Sequence, residues 1–407
     1  MSRLTSFRCL WIGQTAANLA DTLYIVLLIA LTYQATQSAI LTALIPIVTM
    51  SAQLIGGLLT PLVIDRFRLT TLLWSSQLGK TLLFTTLLLF LHALFDAGWL
   101  SVVLGLMAVF SLLDAVATPT RNGIVPRLVE KSELVKVNGW LASTDRTVQL
   151  AGWAMGGMLY AAVGATFSLW LCLGLHVLAT LLMFGVRDPE AAEATTAEQQ
   201  KRSGFQSVKE GWVTVWRLPL LRLVILMDVL EVLAEGVWIG AVMIVFVQQA
   251  LGQDETWFGL LNAGYMAGML LGGMLVSTFS KWVETRMGLL LLLGSVVYAL
   301  LNAAFAVNSI AWLAVLLCLL MGLPHQLKAV IQQTLFQSQV SGRLLPKVFS
   351  VKMTVFNTGF ALSALLMSLL TDVVGVRFVY LLAALLIGLA TLLAWSKWKL
   401  LKQASVS

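Results

Sequence analysis

The sequence predicts an all-α polytopic membrane protein with twelve transmembrane helices in two pseudo-symmetric six-helix halves. Three observations predict it. The 407-residue chain is 59% hydrophobic and only 11% charged, against roughly 45–50% and about 25% in a soluble domain. Its apolar residues gather into runs of about 20, the length that crosses hydrocarbon. Its Lys and Arg collect at alternate ends of those runs, as they do in cytosolic loops. The net charge of +7 is therefore a topology signal and not a nucleic-acid footprint.

The runs lie near 8–32, 39–63, 70–92, 98–120, 137–160, 166–186, 218–248, 256–280, 287–306, 310–332, 348–370 and 376–396. The first is longer than a signal-peptide core and lacks an A-x-A cleavage pattern, so it reads as a span. With the N-terminus taken as cytosolic, twenty-two basic residues, from Arg3 to Lys402, fall inside or at cytosolic span ends, and only Arg377 falls outside. Lys80, Arg146 and Lys328 fall within spans, and the outer loops carry Asp96, Asp254, Glu255 and Asp372. Both termini are then expected in the cytosol.

The longest polar stretch, from Arg187 to Trp212, follows the sixth run. It sets the expected organisation: an N-terminal bundle over 1–186, a cytosolic linker over 187–215 and a C-terminal bundle over 216–407. The halves repeat each other. Gly56-Gly57 precedes Asp65, Gly272-Gly273 precedes Lys281, and each charge follows its first glycine by nine residues. Small residues let helices approach closely, and internal repeats are a common way to build transporters.

Asp228, Glu231 and Glu235 are spaced i, i+3, i+7 on one face of the seventh run. An ionised carboxylate in hydrocarbon costs at least about 2.5–3.5 kcal/mol, so that face must look into water, protein or ligand. Like charges one turn apart cannot all ionise cheaply. At least one of the three is expected to hold a proton that a cationic substrate displaces, unless Lys328 or Arg146 pairs with them. Asp21 lies about 20 Å into the first run at 1.5 Å per residue, with Gln14, Asn18 and Tyr24 near the same face. It is the second expected proton or cation site, a helix–helix hydrogen bond being the alternative. Trp238, one turn beyond Glu235, could stack on a cation. His325 follows Pro324, where a broken helix can line a cavity, and could share proton handling.

A gating role is expected for Asp65, Arg66, Asp114, Arg121, Asp145 and Arg146, with Asp114 placed to pair with Arg146 across the fourth and fifth runs. His92 and His176 attract no role. Cys9, Cys172 and Cys318 lie far apart without CxxC spacing, which argues against a disulfide framework or a zinc site. No GxxxxGK[ST] motif is present to drive transport by ATP. No nucleophile–base or metal constellation points to an enzyme, and no cofactor or nucleic-acid partner is expected.

The loop Pro61-Leu62-Val63-Ile64-Asp65-Arg66-Phe67-Arg68-Leu69 is similar to the signature G-x-L-x-D-R-x-G-R. Asp65 and Arg66 fit it, Pro61 replaces the leading glycine, and Arg68 takes the second glycine's place. With the 6+6 plan and the central loop, the chain resembles the major facilitator superfamily over essentially its whole length. Within the superfamily it looks most like the bacterial efflux branch of macrolide and siderophore exporters. The family's antiporter signature ends in Gly-Pro, whereas Gly152-Trp153-Ala154-Met155-Gly156-Gly157 carries no proline. The resemblance implies that spans one, four, seven and ten line a central cavity, where Asp21, Asp114, the span-seven acids, His325 and Lys328 fall. It implies a monomeric secondary transporter in a bacterial inner membrane, with a small-molecule substrate, protons and the lipid bilayer as partners. The cargo expected is a cationic or zwitterionic, amphipathic, drug-like solute exported by proton antiport with alternating access. The alternative is a siderophore or metallophore exporter, in which Lys328 and Arg146 meet an anionic cargo.

Overall fold

The structure, a computed structural model, describes residues 3–93, 99–189, 204–238, 240–340 and 342–404. Asp96, Lys201, Arg202 and linker residues 190–203 lie outside the described residues. The described residues form helices and turns, with no strand among them. The helices are α1 (Arg3–Thr36), α2 (Ala39–Ile64), α3 (Leu69–Ala93), α4 (Trp99–Leu128), α5 (Leu134–Phe184), α6 (Gly204–Arg217), α7 (Pro219–Glu235) and α8 (Gly240–Val245). They continue as α9 (Thr256–Thr278), α10 (Ser280–Glu284), α11 (Met287–Val307), α12 (Ala311–Gln339), α13 (Leu344–Val374), α14 (Val376–Ser396) and α15 (Trp398–Ala404).

Nine described helices are long and apolar enough to cross a membrane, or ten if the bent pair Pro219–Trp238 and Gly240–Ala250 is one span. The expected twelve needs two further helices to be counted as spans. α5 runs for 51 residues, about 75 Å at 1.5 Å per residue against a hydrocarbon core of about 30 Å. It breaks at Gly164, where φ is 77°, a conformation that glycine takes without strain. The break falls between the runs read as spans five and six. The remaining span is α3, whose apolar character Ser75, Ser76, Gln77, Lys80 and Thr81 dilute. Gly375, with φ 84°, makes the same kind of corner between α13 and α14.

The seventh span departs from the single helix expected over 218–248. α7 stops at Glu235, a 3₁₀ turn covers Gly236–Trp238, and the chain bends by 55° into α8. Backbone groups freed by a break need new partners in a membrane. Here the Gly236 amide donates to the Ser363 hydroxyl at 2.9 Å, and that hydroxyl donates to the Leu233 carbonyl at 2.5 Å. The Tyr380 hydroxyl donates to the Val237 carbonyl at 2.8 Å.

The chain folds into two compact units. One comprises 1–130, 147–212 and 340–353, and the other 131–146, 213–339 and 354–407. In the first, Leu23, Tyr24 and Leu27 of α1 pack with Phe84 and Leu87 of α3, Met107 and Phe110 of α4, and Cys172 of α5. In the second, Val237 and Phe246 pack with Tyr298 and Phe305 of α11, Cys318 and Met321 of α12, and Tyr380 of α14. Leu181 is 68% exposed, Leu300 65% and Val373 80%, as suits side chains facing lipid rather than water. Arg377, the basic residue that broke the charge rule, donates to the carbonyls of Ala250 (3.2 Å) and Ala306 (3.4 Å) and to the Ser309 hydroxyl (2.7 Å). Its charge serves helix ends.

The glycine repeat is a packing device in both units. A Cβ on Gly56 would stand 2.5 Å from Ala115 Cβ of α4, and one on Gly272 would stand 2.8 Å from the Leu323 carbonyl of α12. At Gly268 a Cβ would lie 2.0 Å from the Leu319 carbonyl oxygen. Backbone cannot yield as a side chain does. Gly268→Ala is therefore expected to lose about 1–3 kcal/mol or more to overpacking, read as a lower unfolding temperature in detergent. An unchanged midpoint would contradict so close a crossing of α9 and α12.

Candidate functional site

Each helical unit holds an ionic cluster. In the first, α1 contributes Asp21, α3 contributes Lys80 and α4 contributes Asp114. Lys80 Nζ donates to Asp21 Oδ2 at 2.6 Å and to Asp114 Oδ1 at 3.0 Å, and it lies 4.7 Å from the Phe110 ring centre. Its side chain is 1% exposed. The Gln53 amide reaches Asp114 Oδ2 at 3.5 Å. One ammonium is thus shared by two carboxylates. Asp114 was expected to pair with Arg146, and the structure gives it Lys80 as a partner. α3 and α4 pack side by side, so Lys80 reaches Asp114 directly, while the Arg146 Nε–H donates to Gln326 Oε1 in the other unit (3.4 Å). Gln14 donates to Asn18 at 2.7 Å, one turn before Asp21.

In the second unit, Asp228, Glu231 and Glu235 share the face of α7 that their spacing predicted. Lys328 of α12 donates to Glu231 Oε1 at 2.5 Å and lies 5.2 Å from the Tyr298 ring centre. Glu235 stands within electrostatic reach of Glu231, Asp228, Arg146 and Lys328. Just past it, Trp238 stacks on Tyr265 with centroids 5.5 Å apart and planes 12° from parallel. His325 lies 5.8 Å from the Tyr265 ring and 5.5 Å from that of Tyr298, and the two tyrosine hydroxyls are 3.3 Å apart. Acids, one lysine and an aromatic wall thus come together from α7, α9, α11 and α12. The two units use opposite layouts. In the first the lysine sits on α3 and acids sit on α1 and α4; in the second the acids sit on α7 and the lysine on α12.

A third network, within the first unit, surrounds Asp65 at the end of α2. Lys347 of α13 reaches Asp65 at 2.6 Å and Glu210 of α6 at 2.7 Å, and its side chain is 3% exposed. The Ser207 hydroxyl donates to Asp65 and to the Pro61 carbonyl. Arg66 is exposed, and Arg121 is half-buried on α4. Asp145 sits beside Arg146 on the part of α5 that belongs to the second unit. Of the six residues assigned to gating, Asp65 joins this network and Asp114 the Lys80 cluster. The sequence reading placed Lys80 within a span without naming its partners, and it gave no site role to Lys347, Glu210, Tyr265 or Tyr298. Lys80 and Lys347 carried a signal, being charges inside or beside apolar runs. The two tyrosines carried none, because an aromatic in a membrane helix is ordinary. Among the described residues, no group of three or more His, Cys, Asp or Glu is placed to hold a metal ion.

The family model of the Major Facilitator Superfamily matches residues 10–341. The chain belongs to the Major Facilitator Superfamily. An uncharacterised transporter of this type from Bacillus subtilis, YfmI, is 27% identical over 393 residues, covering 97% of this chain and 96% of the relative. Macrolide efflux protein A of Streptococcus pyogenes is 22% identical over 280 residues, 68% of each chain. Among solved structures, a bacterial homologue of the iron transporter ferroportin in an outward-facing state superposes with a TM-score of 0.77 at 14% identity, over 96% of this chain and 98% of that one. The Escherichia coli fucose:proton symporter gives 0.77 at 13% identity, over 97% and 99%. At such identities the likeness is one of fold. As a member of this superfamily the chain is a multi-pass membrane transporter, and its relatives are transporters rather than enzymes.

Proposed function

We propose that this transporter exports a small cationic or zwitterionic, amphipathic solute in exchange for protons, by alternating access. It would act as a monomer in a bacterial cell membrane with both termini in the cytosol. The observation that carries the reading is the second cluster. Three carboxylates on one face of α7 meet two cations, Lys328 and Arg146, beside the stacked Trp238 and Tyr265. A lipophilic cation finds there an acid to pair with and ring faces to lie on. Excess acid that cannot all ionise in a dry interior is a store of exchangeable protons. Asp21 beside Lys80 supplies a second such acid. The name of one relative, macrolide efflux protein A, supports efflux of an organic solute. The pairing of Lys328 with Glu231 at 2.5 Å weighs against a site made for anionic metallophores.

Proteoliposomes with an imposed pH gradient test this. Tetraphenylphosphonium and ethidium are expected to trigger proton release from wild type, and Glu235→Gln is expected to reduce that release at least about tenfold, the loss of roughly 1.4 kcal/mol of coupling or more. A response to metal–chelator complexes alone would move the protein to the metallophore class. Silence to both panels would remove the proton-exchange mechanism.

A further inference from the structure

We propose that His176 and Gln77 position Asp21 for reversible protonation, acting as a paired tautomer and amide switch behind it. The inference rests on Asp21 being a proton site, as read above.

His176 lies on the second limb of α5, beyond the Gly164 break, and is fully buried. Its backbone is held against α3: the Thr81 hydroxyl donates to the His176 carbonyl at 3.2 Å and meets the Thr180 hydroxyl at 2.8 Å. Its ring sits between Phe84, at 5.2 Å, and Phe110, at 5.5 Å. One ring nitrogen, Nδ1, lies 3.2 Å from the amide nitrogen of Gln77, itself buried. An amide nitrogen only donates, so Nδ1 accepts and the ring proton is on Nε2. That Nε2 faces Asp21 Oδ1 at 3.7 Å. Among the described residues neither of these two buried atoms has a hydrogen-bond partner. Lys80 engages only the other oxygen, Oδ2.

Two orphaned polar atoms aimed at each other in a dry interior are costly unless a small movement joins them. Two joined states are available. With Asp21 ionised, the Nε2–H donates to Oδ1, and Nδ1 accepts from Gln77. With Asp21 protonated, its O–H donates to a bare Nε2, the ring carries its proton on Nδ1, and Gln77 turns its amide to accept with Oε1. The proton count closes. One proton from solution bonds to Nδ1, the Nε2–H bond breaks towards Asp21, and an O–H bond forms at Oδ1, leaving the ring neutral as before. The other groups facing Asp21 are Lys80 on α3, Asp114 on α4, Tyr24 on α1 and Cys172 on α5. Of these, none hydrogen-bonds Oδ1.

The ionised state gains more from this partner, because a hydrogen bond to a charge is roughly twice as strong as a neutral one. Removing His176 should therefore favour the protonated form. The test is pH-difference infrared spectroscopy on the full-length protein in lipid nanodiscs. The protonated-carboxyl band of Asp21 is the one lost in Asp21→Asn. In His176→Phe, which keeps the ring packing, that band should persist to a pH higher by about one unit, a tenfold change in proton affinity. His176→Gln, with a donor and acceptor again near Oδ1, should return it towards wild type. Gln77→Leu should shift it in the same sense as His176→Phe and serves if the latter does not fold. A band that vanishes in Asp21→Asn yet stays put in both His176→Phe and Gln77→Leu overturns the switch and leaves Asp21 as a proton site. No band lost in Asp21→Asn overturns the reading of Asp21 itself, and the switch with it.

Discussion

Lys80→Met is expected to cost about 3–5 kcal/mol of stability, the usual penalty for removing one partner of a buried ion pair. Lys80 is the shared cation of Asp21 and Asp114, at 2.6 and 3.0 Å, and is 1% exposed. Methionine keeps most of the stem's packing, so the loss isolates the charge. Both carboxylates, 19% and 25% exposed, would then be left without their cation, and uptake of protons is their cheapest relief. The triple variant Lys80→Met, Asp21→Asn, Asp114→Asn removes all three charges together. It should recover most of the unfolding temperature while losing proton-coupled flux. Thermal unfolding of the purified protein in lipid decides the matter. A single variant as stable as wild type would mean that the acids are already neutral and that Lys80 holds nothing.

Lys328→Met is expected to act on function in the opposite direction. Lys328 occupies Glu231 at 2.5 Å, where on our proposal a cargo cation would compete with it. Removing this internal competitor should tighten tetraphenylphosphonium binding about tenfold, or roughly 1.4 kcal/mol, and slow turnover because the cargo leaves less readily. Glu231→Gln combined with Lys328→Met should bring the affinity back near wild type, since competitor and acid are then both gone. Isothermal titration of the two variants gives the comparison. Weaker binding in Lys328→Met would detach the α7 acids from cargo recognition and make the pair a structural bond.

The helical class and the region of each span were legible because composition and run length answer directly to the bilayer. The seventh span was not legible as a broken helix. Its sequence stays apolar through the bend, and the hydrogen bonds that permit the break come from Ser363 and Tyr380, far along the chain. The acid face of α7 followed from period alone, because 228, 231 and 235 lie within one uninterrupted helix. Its pairing with Lys328 was one of two partnerships the sequence allowed. The pairing of Asp114 with Lys80 was not legible because helix adjacency, which decides it, is a tertiary fact. His176 was dismissed for the same reason: a lone membrane histidine means little until the residue facing it is known.

The segment 340–353 belongs to the unit built mainly from residues before Trp212, and Lys347 in it holds Asp65 and Glu210 together. A ribosome delivers the chain in order, at about 5–20 residues per second. α1 to α4 and the linker helix must therefore wait for most of the later helices before their own unit is complete. Until Lys347 has been made, Asp65 and Glu210 lack the cation that the folded structure places between them. Completion of this ion network is thus a late event in synthesis, and a chain cut short before Lys347 would lack it.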